Sequence, residues 1–122
     1  MNRIYLVGAG VIARHHAAAL RMLPNHAQIP LFVTDPNATV LYDFLQQFPH
    51  AQSAPDTQTL LSEPADSNDI VIVATPPVAH YPSARLALES GRHVLCEKPL
   101  VMNLAEAEQL LDLATAHDRL LG

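Results

Sequence analysis

A short apolar run, Ile4-Tyr5-Leu6-Val7, breaks directly into Gly8-Ala9-Gly10-Val11-Ile12-Ala13, and this order constrains the chain more than anything else in it. The four apolar residues read as a strand buried on both faces, as strands of a parallel sheet are. The segment behind them fits G-x-G-x-x-G/A. The first glycine permits a tight turn, the second keeps a side chain away from a pyrophosphate, and small Ala13 lets helix and strand pack closely. Val11 to Leu23 follows as a helix, favoured by Ala17, Ala18, Ala19 and Leu20 and ended by Pro24-Asn25. Free N–H groups at such a helix start face an anion. A turn that merely needs positive φ would also select glycine. The place between strand and helix favours the anion.

The same alternation then repeats. Ile29 to Thr34 reads as a second strand, with Pro30 tolerated near its start. Asp35-Pro36 reads as a helix cap followed by proline at the first helical position. The helix carries Val40, Leu41, Phe44, Leu45 and Phe48 on one face, and Pro49 closes it. A third strand falls near Ala51 to Ala54 and a short helix over Thr57 to Ser62. Asp69 to Ala74, with Ile70-Val71-Ile72-Val73, is β-branched enough to be central. A helix over Val78 to Ser90 stops at Gly91, and His93 to Glu97 is a fifth strand. Asn103-Leu104-Ala105-Glu106 has the form of a capping box and opens a helix with Leu104, Leu110, Leu111 and Ala114 inward. Arg119 to Gly122 reads as the start of one more strand. The expectation is one α/β domain over residues 1–122. It is a Rossmann-type, doubly wound parallel sheet of order 3-2-1-4-5.

Composition excludes several other classes. The net charge of −5 disfavours a nucleic-acid or phospholipid surface as partner. A single cysteine, Cys96, leaves no disulfide framework and fits a reducing compartment. No segment approaches the roughly 18 apolar residues of a membrane span. Met1-Asn2-Arg3 runs straight into the first apolar stretch, without room for a signal peptide. These features together read as soluble and cytoplasmic. The seven histidines show no paired metal spacing, and His15-His16, adjacent on a helix, cannot face one ion together. No metal is expected.

Further residues carry chemistry. Asp35 ends the second strand, 25 positions after Gly10, where the acid that accepts hydrogen bonds from an adenosine ribose belongs in this fold. It also fits a simple cap, and the two roles are compatible. No lysine or arginine occurs between Arg21 and Arg85, so nothing near that strand end offers a cation to a 2′-phosphate. NAD is therefore favoured over NADP. Lys98 is the only lysine in the chain and stands at the carboxyl end of the fifth strand, where ligands of this fold bind. Cys96 beside it reads as a packed thiol.

Three segments in order then resemble a known family. They are Gly8 to Ala13 with His16 and Leu20; Ala74-Thr75-Pro76-Pro77 with His80; and Gly91-Arg92-His93-Val94-Leu95-Cys96-Glu97-Lys98-Pro99-Leu100. Together they are similar to the glucose–fructose oxidoreductase / inositol dehydrogenase / MocA family across essentially the whole chain. The resemblance implies an NAD(P)-binding domain of an enzyme that moves hydride to or from the CH–OH groups of sugars, cyclitols and related alcohols. It implies that Gly8, Gly10, Val11 and Ile12 hold the pyrophosphate, and that Ala74, Thr75, Pro76 and His80 line the cofactor cleft. It places Glu97 by the nicotinamide ribose and Lys98 at the reacting oxygen as the catalytic residue, with a cis Lys98–Pro99 bond. The family's second, substrate-holding domain is absent, so the expectation is binding of NAD(H) without turnover. A non-catalytic NAD-sensing regulator is a competing reading. So is an interaction domain whose apolar C-terminal edge joins a second copy.

Overall fold

The computed structural model describes residues 2–122; Met1, at the head of the segment read as leading into the first strand, lies outside them. Five strands, β1 (Ile4–Val7), β2 (Leu31–Thr34), β3 (Gln52–Ser53), β4 (Ile70–Val73) and β5 (His93–Cys96), form one sheet. Their order is β3-β2-β1-β4-β5 and every pairing is parallel, as the sequence pattern predicts. Four α-helices connect them, α1 (Val11–Leu20), α2 (Ala38–Gln47), α3 (Thr57–Leu60) and α4 (His80–Glu89), and α5 (Leu104–Ala116) follows β5. The chain end adds the expected further pairing. Leu121 bridges Val94 in parallel, and the Cys96 N–H donates to the Gly122 carbonyl at 2.9 Å.

Alternation along β1 divides the interior in two. Ile4 and Leu6 join Val33, Ile72, Ala13, Ala17, Phe44 and Phe48 on the side of α1 and α2. Tyr5 and Val7 join Val71, Val73, Ala84, Leu88 and Leu110 on the side of α4 and α5. All four β1 residues are buried, which is why this strand reads as a continuous apolar run.

Several boundaries differ from expectation, each for a local reason. α1 ends at Leu20, because Met22 and Leu23 donate to carbonyls three residues back and tighten the chain out of the helix. β2 begins after Pro30, and β5 stops at Cys96, with Glu97 already in the following loop. Asn37, not Asp35, caps α2: its side-chain oxygen accepts from the Thr39 and Val40 N–H groups at 3.0 and 3.1 Å. A 3-10 turn over Pro77–Ala79 precedes α4, so the regular helix starts at His80. Asn103 caps α5 through the Glu106 N–H at 2.9 Å. On that helix Leu110 and Ala114 are buried, whereas Leu104 and Leu111 are 74% and 55% exposed. The inward stripe follows the four-residue step, and Leu111 sits about 100° away from it. No helix of the described residues is long and apolar enough to cross a membrane.

A buried charge cluster fastens the amino ends of β1, β4 and β5. Asp69 is fully buried and accepts from Arg3 Nε at 3.0 Å and Arg3 Nη2 at 2.6 Å. Arg92, also fully buried, lies 3.7 Å from the same carboxylate and 4.7 Å above the Tyr5 ring. Its remaining N–H groups reach the carbonyls of Leu61 and Glu63. This end of the sheet is thereby committed to structure and the opposite end left for chemistry. Asp69→Ala leaves the Arg92 charge buried without its carboxylate, and removing one partner of a buried pair costs roughly 3–5 kcal/mol. Urea denaturation of the variant is expected to show a loss of that size.

Candidate functional site

Because all strands are parallel, their carboxyl ends open on one side. The order β2-β1-β4 puts the topological switch point beside β1, where ligands of open α/β sheets bind. β1 delivers Gly8 to this point, β2 delivers Asp35, and β4 delivers Ala74-Thr75-Pro76. A cleft of about 600 Å³ lies between them. Gly8, Gly10, Val11 and Ile12 form one wall. Asp35 stands at a second, and Ala74, Thr75 and Pro76 form a third.

The two glycines have different reasons to be glycine. Gly8 has φ +106°, and a Cβ there would lie 2.4 Å from the Ala74 carbonyl oxygen. The close passage of β1 past β4 forbids any side chain. Gly10 has φ −75° and ψ −161°, open to any residue, and a Cβ there would meet nothing within 4 Å. Nothing in the protein requires glycine at position 10, and the space it leaves opens into the cleft.

Gly10 is also the N-cap of α1, which has no acidic residue in its first turn. The N–H groups that follow have no intrahelical acceptors, so the helix start presents donors and a positive dipole end to an anion. Val11 and Ile12 are 63% and 44% exposed at this point and give the cleft an apolar lining. Ala9 and Ala13 are completely buried, which brings helix and sheet close.

Asp35 holds the loop from the β2 side. Its Oδ2 accepts from the Ala9 N–H at 2.9 Å and its Oδ1 from the Asn37 N–H at 2.8 Å. Each oxygen keeps acceptor capacity beyond its one N–H. The carboxylate thus fixes the glycine loop and can still accept from hydroxyl groups in the cleft.

On the β4 side, His80 does not line the cleft as expected. It is 1% exposed, with Nδ1 at 2.7 Å from the Pro99 carbonyl and Nε2 at 2.8 Å from the Thr75 carbonyl. Ala79 and Ser83 of the same segment reach the wall instead, because α4 starts at His80 and turns its ring inward.

Lys98 is exposed in the loop after β5, and the Lys98–Pro99 bond is cis. The Glu97 N–H donates to the Val73 carbonyl at 3.0 Å, tying this loop to β4. His16 Nε2 lies 2.8 Å from Glu97 Oε1, a contact not expected from the sequence. The imidazole beside it, with the Lys98 backbone N–H, holds the Glu97 carboxyl below the usual carboxylate range. Burial and the neighbouring Glu97 push the Cys96 thiol up to about 11, so at neutral pH it is a packed thiol rather than a nucleophile. Pro55, Asp56 and Thr57 after β3 also line the cleft and were missed, since a strand of only two residues gives little pattern to place its carboxyl end. Among the described residues no group of histidine, cysteine and carboxylate side chains could hold a metal.

A parallel sheet with a glycine loop at its switch point and an acid at the end of the neighbouring strand defines a dinucleotide-binding Rossmann domain. Residues 2–122 match the oxidoreductase family with an NAD-binding Rossmann fold, GFO_IDH_MocA, and the chain belongs to that family. Glucose-6-phosphate 3-dehydrogenase of Bacillus subtilis is 35% identical over 114 residues, 93% of this chain and 31% of that protein. GenD2 from gentamicin A biosynthesis, solved in complex with NAD, aligns with a TM-score of 0.86 at 30% identity, covering 98% of this chain and 33% of its own. Biliverdin reductase from Synechocystis, solved with biliverdin and NADP+, aligns with a TM-score of 0.86 at 28% identity, covering 98% of this chain and 36% of its own. The chain therefore spans about a third of the length of these relatives.

Gly8→Ala is expected to destabilise the fold by at least about 2 kcal/mol, since it combines a strained positive φ with a clash against backbone. The midpoint of chemical denaturation of the variant measures it.

Proposed function

We propose that this NAD(P)-binding domain takes NAD in preference to NADP and presents Lys98 to a sugar, cyclitol or related alcohol whose own pocket lies outside these residues. Asp35 carries the cofactor choice. Its carboxylate lines the cleft at the end of β2, ready to accept from ribose hydroxyls and repelling a 2′-phosphate. Asp56 lines the same cleft, and among the described residues that line it there is no lysine or arginine to offset such a phosphate. The two solved relatives hold NAD and NADP+ respectively, so likeness alone leaves the choice open.

In this reading Gly10 and the N–H groups of Val11 and Ile12 would hold the pyrophosphate, and Ala74, Thr75 and Pro76 would hold the nicotinamide half. Bound there, the nicotinamide supplies hydride chemistry. The chain's own contribution is electrostatic. Glu97 would accept from the nicotinamide ribose, and the Lys98 ammonium would donate to the substrate oxygen. That donation stabilises the negative charge developing on the oxygen and allows a proton to be relayed. The likeness to a glucose-6-phosphate 3-dehydrogenase supports a sugar-class substrate.

Fluorescence titration with NADH and NADPH tests the preference. NADH is expected to bind at least about tenfold tighter, a difference of about 1.4 kcal/mol, and Asp35→Ala should abolish that ratio. Equal affinities in the unaltered chain would overturn the assignment.

A further inference from the structure

Lys98 lies between two residues that are each held by a histidine from a different helix. On its amino side, Glu97 Oε1 is 2.8 Å from His16 Nε2 of α1. On its carboxyl side, the Pro99 carbonyl is 2.7 Å from His80 Nδ1 of α4. The other nitrogen of His80 is 2.8 Å from the Thr75 carbonyl, in the segment that forms the cleft wall. Two otherwise distant points, the lip of the cleft and the loop bearing the lysine, are thus joined through one buried ring.

The chemistry of that ring is restrictive. Carbonyl oxygens accept and do not donate, and a neutral imidazole has one N–H and one bare nitrogen. A neutral His80 would satisfy one carbonyl and set its lone pair against the other, at a site with 1% exposure. Only the imidazolium donates to both. Charge-assisted donation to each carbonyl also makes both contacts stronger than neutral ones.

We propose that His80, held as an imidazolium, and His16, bound to the Glu97 carboxylate, act as a two-sided clamp that sets the position of Lys98 relative to the cleft. Both are positioning residues, acting through Glu97, Pro99 and Thr75. This rests on the reading of Lys98 as the group presented to substrate. The other ionisable side chains on the elements around the clamp are Arg14 and His15 on α1, His93 and Cys96 on β5 with Glu97 and Lys98 in its loop, Tyr81, Arg85 and Glu89 on α4, and Glu106, Glu108 and Asp112 on α5, which α4 meets through Tyr81 and Gln109. Glu97 is the anion of the loop itself. Its carboxyl is held below the ordinary range, so His16 keeps its partner down to that lowered value and loses it as the pH falls further.

The Lys98 N–H, one of the groups that hold the Glu97 carboxyl below its ordinary range, reports the clamp directly. In the ¹⁵N-labelled chain without cofactor, both ring nitrogens of His80 are expected to carry protons at neutral pH. The signal is assigned by its loss in His80→Gln. The Lys98 amide is expected to exchange with solvent at least about tenfold faster in His80→Gln and in His16→Gln, a change of about 1.4 kcal/mol in local opening. Amides of β1 far from the loop serve as the control for general destabilisation. A bare ring nitrogen on His80 in the unaltered chain overturns the proposal, as does unchanged Lys98 exchange in His16→Gln should His80→Gln fail to fold. None of these signals requires a nucleotide. Absent NADH binding would therefore count against the functional reading alone, and a neutral His80 beside tight NADH binding would count against the clamp alone.

Discussion

The passage of the β1 carboxyl end against β4 is the contact on which the rest of this domain depends. At Gly8 the backbone comes so near the Ala74 carbonyl that a Cβ would lie 2.4 Å from it. That proximity lets β1 turn sharply into α1 at the centre of the sheet. The Gly8 N–H reaches the Thr34 carbonyl at 2.8 Å, and the Ala74 N–H reaches the Val7 carbonyl at 2.8 Å. Three strand ends are thereby brought to one point. The helix start, the β2 acid and the β4 wall converge because these backbones do. The two buried cores, one on each face, hold that convergence in place.

Charge is divided between the two ends of the sheet. At the amino ends, Asp69 sits with Arg3 and Arg92 in a buried cluster that serves packing. At the carboxyl ends the cleft has acids at Asp35 and Asp56 and no cationic side chain among its described lining residues. An anionic ligand there must be held by backbone N–H groups and the dipole of α1.

Much of this was legible in the sequence because it is written in local patterns. The apolar run Ile4–Val7 followed by two glycines places β1, the turn and α1 without tertiary knowledge. The β-branched run Ile70–Val73 marks a central strand, and Asn103 ahead of Glu106 marks a cap. What the sequence hid depends on contacts between distant segments. Asp35 looks like a cap because Asp-Pro often is one, yet Asn37 takes that role while Asp35 turns back to Ala9. His80 looks like a cleft residue from its place in a motif, yet its ring is drawn inward by two carbonyls, one of them 19 residues away. His16 gives no local hint of meeting Glu97, 81 residues further on. Leu111 is as apolar as Leu110, and only the phase of α5 against α4 decides which is buried.

The central claim is that Gly10, unlike Gly8, is glycine for a ligand and not for the fold. Calorimetric binding of NADH to the unaltered chain and to Gly10→Ala, with thermal unfolding of both, tests it most directly. Because a Cβ at position 10 meets nothing in the protein, the unfolding midpoint should shift by no more than about 2 °C. The same methyl group should weaken NADH binding at least about tenfold. Undiminished NADH affinity in a well-folded Gly10→Ala chain would contradict the account.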